Sequence, residues 1–240
     1  MSHFAQLIGQ SAVLQQVVNT AGIIANTDVT VLIEGDTGTG KELLAQALHK
    51  SSPRHQCDFV AVNCAALPEA LAESQLFGHK KGAFTGADTD QSGFVQQAEK
   101  GTLFLDEVAD LQLNMQVKLL RSIQEKAIRP IGSNEEIPTD VRILSATHKN
   151  LAKEVEAERF RSDLYYRINV IELQVPSLRD RQEDIPILAE HFLKRLAENL
   201  GTEPASLATD AKVAMRDYFF PGNVRELENI LERAYTLCED

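Results

Sequence analysis

The stretch Val29-Thr30-Val31-Leu32-Ile33-Glu34-Gly35-Asp36-Thr37-Gly38-Thr39-Gly40-Lys41-Glu42-Leu43-Leu44 decides the fold. A short β-branched, apolar run reads as a buried strand. Glycines crowd the turn that follows, and residues 42–50 carry a helical pattern. Strand, glycine-rich turn and helix, in that order, are the setting a phosphate-binding P-loop requires. The glycines let backbone N–H groups turn inward around phosphate oxygens, the helix N-terminus adds its positive dipole end, and Lys41 reaches the β- and γ-phosphates. Gly35, Asp36, Thr37, Gly38, Thr39, Gly40, Lys41 and Glu42 are therefore the candidate ATP-binding residues. Glu42 stands where the general motif has a Ser or Thr whose hydroxyl contacts magnesium, so the metal must be held by other groups or through water.

Working outward, Phe59-Val60-Ala61-Val62, Thr102-Leu103-Phe104-Leu105, Val141-Arg142-Ile143-Leu144 and Val170-Ile171-Glu172-Leu173 are further strand candidates, separated by helical patterns such as residues 114–124. Continuous apolar strands interleaved with helices imply an α/β fold whose parallel sheet is covered on both faces. After Val175-Pro176 three helical patterns follow with no strand between them, at residues 184–199, 209–218 and 223–237. The last places Val224, Leu227, Leu231 and Ala234 on one face. The expected organisation is a nucleotide-binding α/β subdomain over residues 1–176 and a small helical lid over 177–240.

Thr102-Leu103-Phe104-Leu105-Asp106-Glu107 ends a buried strand in two adjacent carboxylates. At the C-terminal edge of a parallel sheet, where α/β ligands sit, they fall beside the P-loop. Asp106 is the candidate magnesium ligand, directly or through water, and Glu107 the group that orients and deprotonates an attacking water.

Of the 240 residues, 43% are apolar and 25% charged, which excludes disordered, collagen-like and disulfide-scaffold classes. No window approaches the roughly 20 apolar residues of a membrane helix, and no signal segment opens the chain, so a soluble cytoplasmic protein with no membrane partner is expected. The net charge of −11 makes non-specific binding to nucleic-acid phosphates unfavourable. Any DNA contact is expected from another protein or another segment. Cys57, Cys64 and Cys238 lack metal-ligand spacing and read as thiols in a reducing compartment.

Glu73-Ser74-Gln75-Leu76-Phe77-Gly78-His79 runs into Gly82-Ala83-Phe84-Thr85-Gly86-Ala87, the hexapeptide GAFTGA. With Val62-Asn63-Cys64-Ala65-Ala66-Leu67 and Phe220-Pro221-Gly222-Asn223-Val224-Arg225-Glu226-Leu227-Glu228-Asn229, it resembles the signature blocks of bacterial enhancer-binding proteins. These are the NtrC-like AAA+ ATPases that activate sigma-54 RNA polymerase. The resemblance covers essentially the whole chain, and Glu42 after the P-loop lysine is typical of that family. It implies an ATPase, with ATP and magnesium as cofactors, that remodels the sigma-54 closed promoter complex. Gly82, Ala83, Phe84, Thr85, Gly86 and Ala87 would then form the loop that contacts sigma-54. A second loop around Gly132-Ser133-Asn134-Glu135-Glu136 would support it. Asn63 resembles the partner of a switch that restrains Glu107. Thr147 resembles the sensor I position, followed here by His148 where the family often has Asn. Lys100-Gly101 stands where a Gly-Gly pair is common. Arg161 and Arg167 resemble the arginine fingers that one subunit presents to its neighbour's γ-phosphate, which implies a ring, a hexamer. Arg225 resembles the sensor II arginine over the nucleotide of its own subunit.

Two alternatives stay open at this point. One is another AAA+ machine, such as an unfoldase that threads peptide past Phe84. The other is a nucleotide-dependent scaffold without turnover, a reading that the presence of Glu107 and both finger arginines disfavours. The resemblance also implies a regulatory domain before this module, a two-component receiver by frequency in the family, and a C-terminal DNA-binding domain after it. Both are expected outside residues 1–240.

Overall fold

The computed structural model of the chain describes residues 3–237. Its strands are β1 (Val31–Glu34), β2 (Phe59–Asn63), β3 (Thr102–Asp106), β4 (Ala127–Ile128), β5 (Ile137–Pro138), β6 (Arg142–Thr147) and β7 (Ile171–Gln174). The α-helices are α1 (Ala12–Ala25), α2 (Lys41–Lys50), α3 (Ala72–Phe77), α4 (Phe94–Gln97), α5 (Leu113–Glu125), α6 (Leu151–Glu156), α7 (Ser162–Ile168), α8 (Ile185–Leu200), α9 (Thr209–Asp217) and α10 (Asn223–Leu237). Five strands form one sheet in the order β2-β3-β6-β1-β7, every neighbouring pair parallel, and β4 and β5 pair antiparallel as a small ribbon. All five strand candidates lie in the parallel sheet.

The apolar runs are continuous because both sheet faces are covered. Side chains alternate across a strand. Leu32, Leu103, Leu105 and Ile143 therefore pack on one face with Leu76 of α3, Leu119 of α5 and Leu164 of α7. Val31, Ile33, Phe104 and Leu144 pack on the other with Ala21 of α1 and Leu44 and Leu48 of α2. The charged residue inside β6, Arg142, is 1% exposed and donates to the carbonyls of Ala25 (3.0 Å) and Ile24 (3.1 Å), closing the C-terminal end of α1. Lys100 takes φ +61°, a left-handed conformation that glycine adopts without strain.

Beyond β7 every described element is helical. Leu178, Leu188 and Phe192 pack with Leu227 and Leu231 of α10 into a separate small core. The expected α10 face is right at Val224, Leu227 and Leu231 but not at Ala234, which is exposed. Tyr235, four residues after Leu231, turns inward instead. It covers more apolar area than a methyl group, and its hydroxyl contacts Thr202 Oγ1 (2.6 Å) and donates to the Glu203 carbonyl (3.0 Å). The segment before α1 is tied to this unit through buried Asp184. The Asp184 carboxylate accepts from Gln10 N (2.6 Å), Ser11 N (2.9 Å) and Ser11 Oγ (2.6 Å). Among the described residues no helix is long and apolar enough to cross a membrane. Cys57 is exposed and Cys64 buried; Cys238 lies outside the described residues.

Candidate active site

Parallel strands deliver their C-terminal residues to one edge, and that edge carries the site. The register pairs Asn63 with Asp106 and Glu34 with Thr147, so β1, β2, β3 and β6 end together. Between this edge, the P-loop and the start of α10 lies a cavity of about 400 Å³, lined by Gly38, Lys41, Asn63, Asp106, Glu107 and Arg225 among others.

The P-loop runs from β1 into α2. Gly38 and Gly40 sit at φ +80° and +101°, where a side chain is strained. Thr39 Oγ1 donates to the Asp36 carbonyl at 2.8 Å, folding the loop on itself. Lys41 is 7% exposed, and its ammonium donates to the carbonyls of Gly35 (2.8 Å) and Asp36 (3.2 Å) with Glu107 Oε1 at 4.0 Å. Burial pushes this ammonium below its usual range, opposed by the carboxylates of Glu107, Asp106 and Asp36. Among the described residues the backbone N–H groups of Gly38, Gly40 and Lys41 make no protein hydrogen bond, which leaves them for a phosphate. Glu42 is exposed on the first turn of α2, where it accepts from Gln46 (3.2 Å).

Burial, then the neighbouring Glu107 carboxylate, raises the Asp106 carboxyl above the usual carboxylate range, with Lys41 working against both. A half-buried acidic pair beside one lysine suits a divalent cation. No cluster of three His, Cys, Asp or Glu that could hold a metal occurs among the described residues. Magnesium here would therefore take most of its ligands from phosphate and water, which is its usual habit at nucleotide sites.

Glu107 follows β3 at φ +52°, an uncommon conformation for a non-glycine residue. Its Oε2 accepts from His148 N (3.2 Å) and contacts His148 Nδ1 at 2.7 Å. The expected restraint by Asn63 is not made here. Asn63 Oδ1 instead accepts from Ala65 N (3.0 Å) and Ala66 N (3.3 Å), capping the turn after β2, because an amide oxygen two residues before two free N–H groups finds them first. Thr147 is fully buried, and its hydroxyl accepts from Lys149 N (3.0 Å) rather than facing the cavity. The next residue, His148, is the one that reaches Glu107.

Arg225 lines the cavity from the lid. Arg161 and Arg167 are absent from that lining and exposed. Arg161 pairs with Asp163 of its own helix (Nε–Oδ1 3.0 Å, Nη2–Oδ2 2.7 Å), and the Arg167 carbonyl accepts from Thr30 Oγ1 (3.1 Å). Neither serves the phosphate cavity of its own chain.

The GAFTGA segment is a closed turn, with Gly82 N donating to Ala87 O (2.8 Å) and Ala87 N to Phe84 O (3.0 Å). Gly82 and Gly86 have left-handed φ and open space around them, and Thr85 is exposed. Phe84 is 37% exposed, its ring tilted against His79 at 4.9 Å between centroids, so it rests partly on its own stem. His79 pairs antiparallel with Gln91 and parallel with Ile131, and a Cβ on Gly132 would lie 2.8 Å from Ala83 Cβ. The two loops are thus packed together at their base.

Sequence reasoning missed Arg181 and the side-chain role of Asn223, both bonded to the P-loop from the lid. Asn223 lies in the Phe220 to Asn229 block, where nothing in the sequence signals its reach, and Arg181 lies in a polar run with no periodicity to single it out.

The chain matches the Sigma-54 interaction domain over residues 7–174 and the AAA+ ATPase lid domain over residues 179–240. The response regulator protein PilR of Pseudomonas aeruginosa is 59% identical over 235 residues, 98% of this chain and 53% of that protein. The transcriptional regulatory protein ZraR of Salmonella typhimurium is 53% identical over 231 residues, 96% of this chain and 52% of that protein. NtrX from Brucella abortus, solved in complex with ADP, superposes with a TM-score of 0.90 at 36% identity, covering 96% of this chain and 50% of that one. The chain thus spans about half the length of these relatives. A P-loop at the edge of a parallel sheet, an Asp-Glu pair beside it and a lid arginine over it agree with that kinship, and the chain belongs to the Sigma-54 interaction domain family of AAA+ P-loop ATPases.

Proposed function

We propose that this domain couples ATP hydrolysis to remodelling of the sigma-54 RNA polymerase closed promoter complex, and so activates transcription. Residues 1–176 act as the nucleotide-binding unit and 177–240 as its lid. The carrying observation is the Phe84-Thr85 tip, set between two unencumbered left-handed glycines on a stem packed against a second loop. An exposed aromatic on such a turn costs solvation unless a partner covers it. The match to the Sigma-54 interaction domain supports sigma-54 as that partner.

The residues divide the chemistry. Gly38, Gly40 and Lys41 bind phosphate oxygens with N–H groups and a buried ammonium, Asp106 would hold magnesium, and Arg225 closes over the nucleotide. Bound magnesium supplies charge neutralisation at the phosphates. Glu107 orients a water and takes its proton once His148 releases the carboxylate. Arg161 and Arg167 stabilise γ-phosphate charge in the neighbouring chain, an effect worth about 10³–10⁵ in rate in other NTPases. Fingers acting between chains imply a ring, which we take to be a cytoplasmic hexamer on the family resemblance. PilR is a response regulator by name, which supports a receiver domain outside these residues, with DNA binding in a further C-terminal domain.

Complex formation with purified sigma-54, in ADP plus aluminium fluoride, tests the reading. A complex that needs the analogue and is lost in Thr85→Ala supports it. ATPase activity without any complex overturns the sigma-54 assignment and favours a different client.

A further inference from the structure

Three successive P-loop carbonyls are bonded from the lid. Thr37 O accepts from Asn223 Nδ2 (3.0 Å), Gly38 O from Arg225 N (3.3 Å), and Thr39 O from Arg181 Nη2 (3.2 Å). These donors come from two separate places in the lid, the start of α10 and the turn before α8. Both side chains are built in: Asn223 is 2% exposed and Arg181 3%. Asn223 stands at φ +52°, and its Oδ1 also accepts from Leu178 N (2.8 Å), so one amide ties the P-loop, α10 and the first turn of the lid together. Arg181 interrupts its own turn with non-helical angles (φ −139°, ψ 49°), and its Nε has no partner among the described residues.

A planar trans peptide points the C=O of one residue and the N–H of the next in opposite directions. Tying Thr37 O and Thr39 O to the lid therefore turns the N–H groups of Gly38 and Gly40 away from it, into the concave side of the loop. Those are N–H groups left without a protein partner; Thr39 N, between them, leans back to Asp36 O at 3.4 Å. A loop with two glycines at positive φ has little stiffness of its own. Its phosphate-ready shape needs an outside template, and the lid supplies one.

We propose that Asn223 and Arg181 are positioning residues through which the lid sets the shape of the phosphate cradle, so that nucleotide affinity falls as the lid swings away. The contacts to nucleotide itself stay with Lys41, Arg225 and the loop amides. The inference rests on the P-loop reading above and adds a mechanical link separate from Arg225's own reach over the nucleotide. By reciprocity, bound nucleotide must favour the docked lid by the same factor by which the docked lid raises nucleotide affinity.

The test uses Asn223→Gly, which keeps the left-handed backbone and removes both bonds. It also uses Asn223→Asp, which keeps an acceptor for Leu178 N and removes only the donor to Thr37 O. Arg181→Lys probes the second anchor. ADP affinity is measured by calorimetric titration, and hydrogen exchange of the Arg225 amide, which is bonded to Gly38 O, is measured without nucleotide, where the charge added by Asn223→Asp meets no phosphate. The expected result is an ADP Kd raised about tenfold in Asn223→Gly, with faster exchange at Arg225 in both Asn223 variants while β3 amides keep their protection. Arg225 exchange and ADP affinity unchanged in all variants that fold, with Lys41→Ala still losing ADP, would overturn the clasp alone. Retained ADP binding in Lys41→Ala would overturn the phosphate-site reading, and the clasp with it. If Asn223→Gly does not fold, Asn223→Asp and Arg181→Lys decide the question by the same exchange measurement.

Discussion

Replacing Gly38 with alanine, with Gly40→Ala beside it, separates the strain of a left-handed residue from the packing of lid on loop. Both glycines have positive φ, so each substitution costs about 1–2 kcal/mol for a side chain in that region. Only Gly38 has a neighbour in the way: an added Cβ would lie 2.3 Å from Gly222 O and 3.1 Å from Arg225 Cβ. At Gly40 the nearest atom is Leu43 Cδ1 at 4.0 Å, an ordinary contact. Gly222 O is backbone, so the turn that leads into α10 must withdraw by about 1 Å to restore normal contact. That movement breaks the Asn223–Thr37 and Arg225–Gly38 hydrogen bonds, each worth about 1 kcal/mol. The expected total is about 3–4 kcal/mol for Gly38→Ala against 1–2 for Gly40→Ala. For a chain of this size each kcal/mol moves the melting temperature by about 2–4 °C, so the two variants should differ by about 4–8 °C. Differential scanning calorimetry of nucleotide-free protein reads this directly. Equal melting temperatures, or a lower one for Gly40→Ala, would refute the claim that the lid rests on Gly38.

Three further outcomes are expected. Glu107→Gln should bind ATP with near-normal affinity and hydrolyse it about 10²–10⁴ times more slowly; single-turnover hydrolysis at the unmodified rate would assign the base elsewhere. Asp106→Asn should stabilise the nucleotide-free fold at neutral pH by about 1 kcal/mol while removing activity. Its carboxyl is raised in the folded chain, so ionisation costs more folded than unfolded. That cost is present above the folded pKa and disappears as pH falls below the ordinary carboxylate range. The gain in melting temperature should therefore shrink towards pH 4, and a gain that grows in acid would contradict the assignment. Arg161→Ala should lose hydrolysis yet keep its fold, and mixing it with Lys41→Ala subunits should restore part of the activity; no rescue at any ratio would mean that the finger does not act across subunits.

The sheet was legible because burial on both faces forces continuous apolar runs, and β1, β3 and β6 obey that rule, with charge only at their ends: Glu34 and Asp106 at the C-terminal edge and Arg142 at the start of β6. The phosphate cradle was legible for a different reason: a tight strand-to-helix turn with inward N–H groups admits few residues other than glycine at Gly38 and Gly40. What sequence could not supply was the direction of polar side chains at the sheet edge. Asn63 ends β2 and His148 follows β6, both next to Asp106 and Glu107, and nothing in a linear pattern says which will reach the carboxylate. Local geometry decided it: Asn63 spends its oxygen on the N–H groups of Ala65 and Ala66, whereas His148 presents both a backbone N–H and a ring nitrogen to Glu107. Arg181 was illegible for a related reason, since its role depends on a kink that no periodicity predicts.

The strength of these contacts sorts them into framework and switch. Arg142, Asn223 and Arg181 are almost fully buried, and stripping a partner from a buried polar group costs its desolvation as well as the bond. Such contacts persist unless a whole subdomain moves. The pairs that hold the chemical groups are the opposite kind. His148 is 40% exposed where it meets the less exposed Glu107, and Arg161 and Asp163 are each 42% exposed, a setting in which the Arg161–Asp163 ion pair is worth about 0–1 kcal/mol. In the proposed function, a γ-phosphate arriving at Lys41, or a neighbouring chain offering its own phosphate to Arg161, would exceed that. The proposed base and finger would thus be parked by contacts weaker than the buried ones proposed to shape the cradle. A machine that, as proposed, holds nucleotide steadily and fires only when its neighbours are in place needs that division.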